Sequence, residues 1–355
     1  MPGRDTPDRP PAVDHTTATR APSDGIRHRT KRAWLRFAPW ALGLLVLAAV
    51  VLVILRLGEL RQFAELATRA RPQWLLVGLL LQAGTYVCAA GVWYLVLDRA
   101  GAHRAMIDVV PLGLGKLFAD QAIPAGGISG TLFVIQGLTR RGISSGLAMA
   151  ALLVGLISYY GAYLLAVIAS LGVLAALHAL GPAIMGAVGV FSLAAIGIPA
   201  TVLLFRNRLR KTPLNYLRRS PTVTFLLDAI ATAPSALVRN PRLIGATLFL
   251  QLSVFLLDAA TLYVMLLATG IAAAPAGVFA SFIMACVAAT IGPMPLGLGT
   301  FEAVCVTMLT LTGVPLEAAL AATLLLRGLT FWLPMLPGLW IARRELGPTL
   351  GHTER

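Results

Sequence analysis

Apolar residues run through this chain in long uninterrupted blocks, without the alternation of a half-buried strand or the one-sided stripe of a surface helix. A helix rises 1.5 Å per residue and a bilayer's hydrocarbon core is about 30 Å thick, so some twenty apolar residues make one crossing. Six blocks have that length: Phe37 to Leu55, Trp74 to Leu97, Ile143 to about Leu177, Ala183 to Phe205, Leu243 to Thr269, and Leu316 to Ala342. Between Gly142 and Phe205 there is no Asp, Glu, Lys or Arg, and Gly181-Pro182 is the turn signal near the middle, which predicts a helical hairpin. Two further apolar segments, about Ala105 to Thr139 and Ala276 to Thr312, are each broken centrally by glycine and proline, in QAIPAGGISG (Gln121 to Gly130) and GPMPLGLGT (Gly292 to Thr300). Irregular backbone leaves N–H and C=O groups unpaired, so such breaks survive at membrane depth only inside protein or beside a watery cavity.

Charge decides whether these broken segments cross or turn back. If both turn back, one side of the membrane receives Arg99 and Arg104, Arg140-Arg141, the stretch from Arg206 to Arg242 with eight basic residues against Asp228, and Arg343-Arg344. The opposite loops near Gly181, Gly270 and Gly313 then hold no Lys or Arg. A single crossing by the first broken segment would export the eight-base stretch, against the positive-inside rule. Two re-entrant hairpins are therefore expected, with both chain ends cytoplasmic. Arg56 to Arg71, with four arginines and two glutamates on the outer side, reads as an amphipathic helix lying on the membrane.

Shifting the chain by 171 residues brings Pro124 onto Pro295, Gly126 onto Gly297, Leu138-Thr139 onto Leu309-Thr310 and Gly142 onto Gly313; nine of thirty positions from Pro124 match. The two breaks belong to a repeat whose halves enter the bilayer from opposite faces. That pattern points to a transporter site near the midplane, where half-helix N-termini direct free N–H groups at an anion.

Composition agrees. With 57% apolar and 12% charged residues, the chain lacks the polar surface of a water-soluble domain. Its net charge of +14 comes from bases that flank apolar blocks, so it reads as membrane anchoring and not as nucleic-acid binding. Residues 1–33, rich in Pro, Asp, Thr and Arg, read as a disordered basic cytoplasmic tail. Residues 34–345 form one transmembrane domain, and 346–355 a short cytoplasmic tail. Cys88, Cys286 and Cys305 lie in apolar blocks and the five histidines are scattered, so neither a disulfide framework nor a metal motif is visible. No cofactor is expected. GLGKL at Gly113 lacks the remaining letters of a phosphate-binding loop, and GISSG at Gly142 sits at a helix start without nucleophile partners, so no catalytic motif is read.

Five charged residues fall at membrane depth: Lys116, Asp120, Asp258, Glu302 and Arg327. Each must face the protein interior or a cavity, because a charge in hydrocarbon costs at least about 2.5 kcal/mol. Lys116 and Asp120 are spaced to pair on one helix face. Glu302 follows the second break and reads as a helix-start cap. Asp258 and Arg327 stand alone in their helices and pair with each other or serve a site. With the glycines of the two breaks (Gly126, Gly127, Gly297, Gly299), these five make the candidate substrate-binding set.

The strings FADQAIPAGGISG, LTRRGI, PMPLGLGTFEA, LTGVP and LLLRGLTFWLPMLPG resemble the lysylphosphatidylglycerol synthase transmembrane region, the flippase-like family, over roughly Trp34 to Glu345. The resemblance implies movement of a phospholipid or lipid-linked headgroup between leaflets of the inner membrane. Arg327 and Lys116 would meet the phosphate, while Asp258 and Glu302 balance charge or bind a proton. It also implies membrane lipids as partners, with a lipid-modifying enzyme as a possible second. The aminoacyl-transferase domain of bifunctional members is not seen, so synthesis of the lipid is not implied. Two other readings stay open from sequence: a secondary transporter of a small solute, and a non-transporting scaffold for a lipid- or glycan-modifying enzyme. The expected fold is an all-α polytopic membrane protein with about six spanning helices and two re-entrant broken hairpins in an inverted repeat.

Overall fold

A computed structural model describes residues 65, 68, 70–122, 127–211, 221–292 and 297–346. The expected helices at Phe37 to Leu55 and Arg56 to Arg71 lie largely or wholly outside the described residues, as do Gly126, Pro124 and Pro295 of the breaks. Every described element is helical. In chain order they are α1 (Pro72–Arg99), α2 (Met106–Ala122), α3 (Ile128–Arg140), α4 (Ser145–Ala176), α5 (Pro182–Lys211), α6 (Pro221–Thr232), α7 (Ser235–Val238), α8 (Pro241–Ala268), α9 (Pro275–Ile291), α10 (Thr300–Leu311) and α11 (Leu316–Arg327). A π-helical turn (Gly328–Trp332) joins α11 to α12 (Leu333–Leu346).

Among the described residues, α1, α4, α5, α8 and the run from α11 through α12 are long and apolar enough to cross a membrane. The chain is thus an all-α polytopic membrane protein, and these five helices fall on five of the six blocks read from sequence. Their starts follow local chemistry. Pro72, Pro241 and Pro275 open α1, α8 and α9, where the missing N–H has no intrahelical partner to lose. Ser144 Oγ accepts from the Leu147 N–H to cap α4, and Asn240 Oδ1 accepts from the Arg242 and Leu243 N–H groups to cap α8.

Both broken segments turn back. In the first, the Gly130 N–H donates to Asp120 Oδ1 at 2.8 Å, and a Cβ at Gly115 or Gly137 would lie 2.3 Å from Phe133 or 2.4 Å from Leu112. Partner numbers that fall on one arm as they rise on the other define an antiparallel pair. In the second, a Cβ at Gly277 would sit 3.2 Å from Thr312 and one at Gly292 3.1 Å from Thr300, the same sense. Seventeen-residue first arms extend about 25 Å, enough to carry each tip well past the surface.

Following the chain sets the direction of entry. The base of the α2–α3 hairpin lies beside the start of α4; α4 crosses, α5 returns, α8 crosses again, and α9 begins at the far end. The two hairpins therefore enter from opposite ends of the bundle. One end gathers Arg99, Arg104, Arg140, Arg141, Arg239, Arg242, Arg343 and Arg344, and there Arg141 makes a two-pronged ion pair with Glu345 (2.6 and 3.2 Å). Arg71 lies at the other end, where its N–H donates to Ala268 O.

The repeat reaches further than the breaks. Moved by 169 residues, α1 and α2 fall on α8 and α9 end for end, and α3 and the start of α4 fall on α10 and α11 after a further two to three residues. At that shift Pro72, Leu79, Leu81, Gln82, Ala90, Tyr94 and Gly101 meet identical residues, Gln82 matching Gln251.

The equivalent helices α1 and α8 pack antiparallel on each other. Gly78 lies against Met265 and Thr261, Gly84 against Leu257 and Gly91 against Leu250, a stripe repeating about every seven residues. Lipid tails are as apolar as Leu, so helices gain by close van der Waals contact, which small residues permit. Around this pair sit two apolar cores: Tyr163, Phe191, Leu262 and Met265 centre one, and Val92, Leu97, Ile135 and Val154 the other.

Candidate functional site

The first hairpin is closed by the ionisable pair that its sequence spacing foretells. Lys116 and Asp120 stand one turn apart in α2, with Nζ 2.6 Å from Oδ2. Asp120 Oδ1 meanwhile accepts from the Gly130 N–H at 2.8 Å and from Ser129 Oγ at 3.2 Å. Asp120 thereby binds the last turn of one arm to the first turn of the other. Gly130 makes this approach possible: a Cβ there would lie 2.4 Å from Asp120 Oδ2. Gly127 (φ +85°) caps α3 in the left-handed region that glycine enters without strain.

Beside this tip lies a cavity of about 500 Å³, its lining including Lys116, Gly127, Thr131, Trp93, Tyr159 and Gln251 among apolar residues of α4. The side chain of Lys116 is 35% exposed, so its charge reaches the space while its partner Asp120 is turned into the hairpin. The N-terminus of α3 adds the positive end of a helix dipole, its Gly130 N–H being taken by Asp120. Tyr159 is held by ring contacts with Phe255 at 5.5 Å and Tyr163 at 5.7 Å. The space is chiefly apolar, with a cation and a helix start at one wall. It suits an anionic group joined to an apolar body.

A second cluster forms at the other hairpin. Arg327 Nε donates to Glu302 Oε1, and Nη2 lies 3.4 Å from Gly297 O. The guanidinium also stands over the rings of Phe301 (4.7 Å) and Phe331 (5.5 Å). Both charged side chains are largely enclosed, 15% and 13% exposed. Gly297 (φ +65°) and Gly299 (φ +76°) shape the turn, and Gly299 caps α10. The second carboxylate oxygen of Glu302 is buried and has no hydrogen bond among the described residues.

Two sequence expectations change here. Glu302 does not cap α10 with its side chain; it lies in the first turn and turns to Arg327, because a full opposite charge outcompetes neutral N–H donors at depth. Arg327 and Asp258 do not pair. Asp258 instead accepts from Gln82 Nε2 at 2.9 Å and Thr85 Oγ1 at 3.4 Å, both on α1. Nor is Arg327 among the residues lining the Lys116 cavity. The nine candidates thus fall into three groups: Lys116, Asp120 and Gly127; Arg327, Glu302, Gly297 and Gly299; and Asp258. Gly126 lies outside the described residues.

Sequence reasoning missed Gln82, Thr85, Gln251, Tyr159 and Trp93. All are neutral, so a search for buried charge passes over them. The match of Gln82 with Gln251 in the long repeat was the available signal, since an amide inside an apolar block needs a polar partner.

A π turn follows Arg327 directly. Leu333 N–H donates to Gly328 O, five residues back, where an α-helix would bond four back. Pro334 has no N–H to offer Thr330, and the wider turn accommodates it. Arg327 ends the regular helix and projects toward the second hairpin tip.

Comparison with known proteins adds the family. No curated protein matches the chain significantly. The family model described as lysylphosphatidylglycerol synthase TM region matches residues 40–338, which includes both hairpins, the π turn and all three polar groups. The chain belongs to the lysylphosphatidylglycerol synthase TM region family.

Proposed function

We propose that this protein is a lipid translocase that carries the headgroup of an anionic phospholipid or a lipid-linked phosphate between leaflets. The observation that carries the reading is the cavity at the first hairpin tip, where Lys116 and the start of α3 face a space with mainly apolar walls. The headgroup phosphate takes its place against Lys116 and the positive end of the α3 dipole, and the acyl chains stay in lipid. No wide aqueous pore and no covalent step are needed.

The opposed hairpins supply the route. An element that dips from each face leaves thin barriers on either side of the tips, so small rocking movements of one repeat against the other open the site alternately. Arg327, now held by Glu302, is the second phosphate contact once the headgroup passes the midplane. The basic end of the bundle is cytoplasmic by the positive-inside rule, in the inner membrane, and both chain ends lie on that side.

The test is leaflet exchange of labelled phospholipids in vesicles reconstituted with the full chain. The wild type speeds exchange of anionic lipids, and Lys116→Ala or Arg327→Ala slows it by at least about tenfold, the loss of one charge-assisted contact. Equal exchange by wild type and both variants across anionic, zwitterionic and cationic lipids would overturn the reading.

A further inference from the structure

The strongest unassigned feature is the carboxylate of Asp258. It lies ten residues, about 15 Å of helix, from the end of α8, in the contact between the two equivalent helices. Gln82 Nε2 donates both to Asp258 Oδ1 (2.9 Å) and to Thr261 Oγ1 (3.1 Å). Thr261 Oγ1 donates a hydrogen bond to Leu257 O at 2.8 Å, and Thr85 shares its hydroxyl between Leu81 O (3.2 Å) and Asp258 (3.4 Å). No described cation lies within ion-pairing distance of it.

The groups that face Asp258 electrostatically are Tyr86 from α1, Tyr159 from α4 and Cys286 from α9. All three are neutral at physiological pH. From α11 the charged groups are Glu317 at its first turn, far along the helix, and Arg327, which Glu302 engages. A fixed cation would lock this carboxylate ionised, and a wholly apolar shell would lock it neutral. Here the shell is made of amide and hydroxyl dipoles. They partly offset the loss of water around the anion, and they also serve the acid, because rotation of the Gln82 amide presents Oε1 to a carboxylic O–H. The described helices enclose Asp258 only in part. At the equivalent position of the first repeat stands Ala89, so one half of the inverted repeat carries the group and the other does not.

We propose that Asp258 is a proton-binding site whose protonation couples lipid movement to a transmembrane pH gradient. This rests on the translocase reading above. One proton adds to the carboxylate from one aqueous face, giving a neutral acid, and leaves to the other face as the repeats exchange orientation. Nothing else is consumed.

Two measurements on the full chain in vesicles test this. Infrared difference spectra, taken between about pH 5 and 9, will contain a carboxylic-acid carbonyl band that Asp258→Asn removes and Asp258→Glu shifts. In the second, labelled anionic phospholipid is followed with membrane potential clamped at zero. A gradient of one pH unit biases the wild-type leaflet ratio by up to about tenfold for one-to-one coupling, reversing with the gradient. Asp258→Asn loses the bias and Asp258→Glu keeps it. A band untouched by both variants, an unchanged bias in Asp258→Asn, or a bias that follows sodium and not pH would each overturn the proposal. If the wild type moves no lipid at all, the translocase reading fails, and the infrared titration still decides whether Asp258 exchanges a proton.

Discussion

Glu302 and Arg327 stand twenty-five residues apart in sequence and meet as an enclosed ion pair between α10 and the end of α11. Removing one partner leaves the other charged and unpaired. Glu302→Gln is expected to destabilise the protein by about 3 kcal/mol, seen as a lower unfolding midpoint in detergent. Replacing both partners, as in Glu302→Gln with Arg327→Met, should recover more than half of that loss, because an absent pair costs less than a broken one. Asp120→Ala removes the acceptor for the Gly130 N–H and the partner of Lys116 together. About 1–3 kcal/mol is expected from the orphaned groups, read from the same unfolding curves. At this scale the sequence carries local pairs well: Lys116 and Asp120 are legible from four-residue spacing alone. It does not carry partners set by tertiary packing. Neither Glu302 with Arg327 nor Gln82 with Asp258 is marked by any fixed spacing, so the sequence offers Arg327 as the partner of Asp258 and Glu302 as a cap.

Individual elements depend on close approach. Gly130 must lack a Cβ for α3 to reach Asp120, and Gly297 combines a φ of +65° with a Cβ position 2.5 Å from that of Ala289. Gly130→Val and Gly297→Val should each pry open one hairpin and destabilise it by about 1–3 kcal/mol, with faster amide exchange confined to the hairpin that carries the substitution. Exchange spreading equally to both would show that the hairpins do not close independently. In the π turn, Pro334→Ala restores an N–H for Thr330 O. Slower amide exchange over residues 328–334 is expected as the turn tightens toward α-helix. The helices themselves were readable because a crossing needs a length and a composition that few other structures share. The breaks were readable because glycine and proline cannot sit in lipid unsupported. The π turn was not, since it turns on which carbonyl a single missing N–H leaves free.

For the whole molecule, charge arithmetic along the chain predicted two opposed re-entrant hairpins, and the helix pairings give that arrangement. The symmetry extends beyond the breaks, to α1 with α8 and α2 with α9, where divergence has left identities such as Gln82 with Gln251 too sparse to stand out in an apolar sequence. The site was only partly legible: its charges were visible, but their division into three groups follows from helix packing that no spacing rule supplies. Cysteine accessibility tests the opposed entry most directly. In full chain with Cys88, Cys286 and Cys305 replaced, single cysteines are placed at Gly142, the base of the first hairpin, and at Gly313, the base of the second. A membrane-impermeant thiol reagent applied from either side of sealed vesicles is predicted to reach Gly142→Cys from the side that labels Asn240→Cys, and Gly313→Cys from the other side alone. Labelling of both hairpin bases from one side would contradict the inverted arrangement.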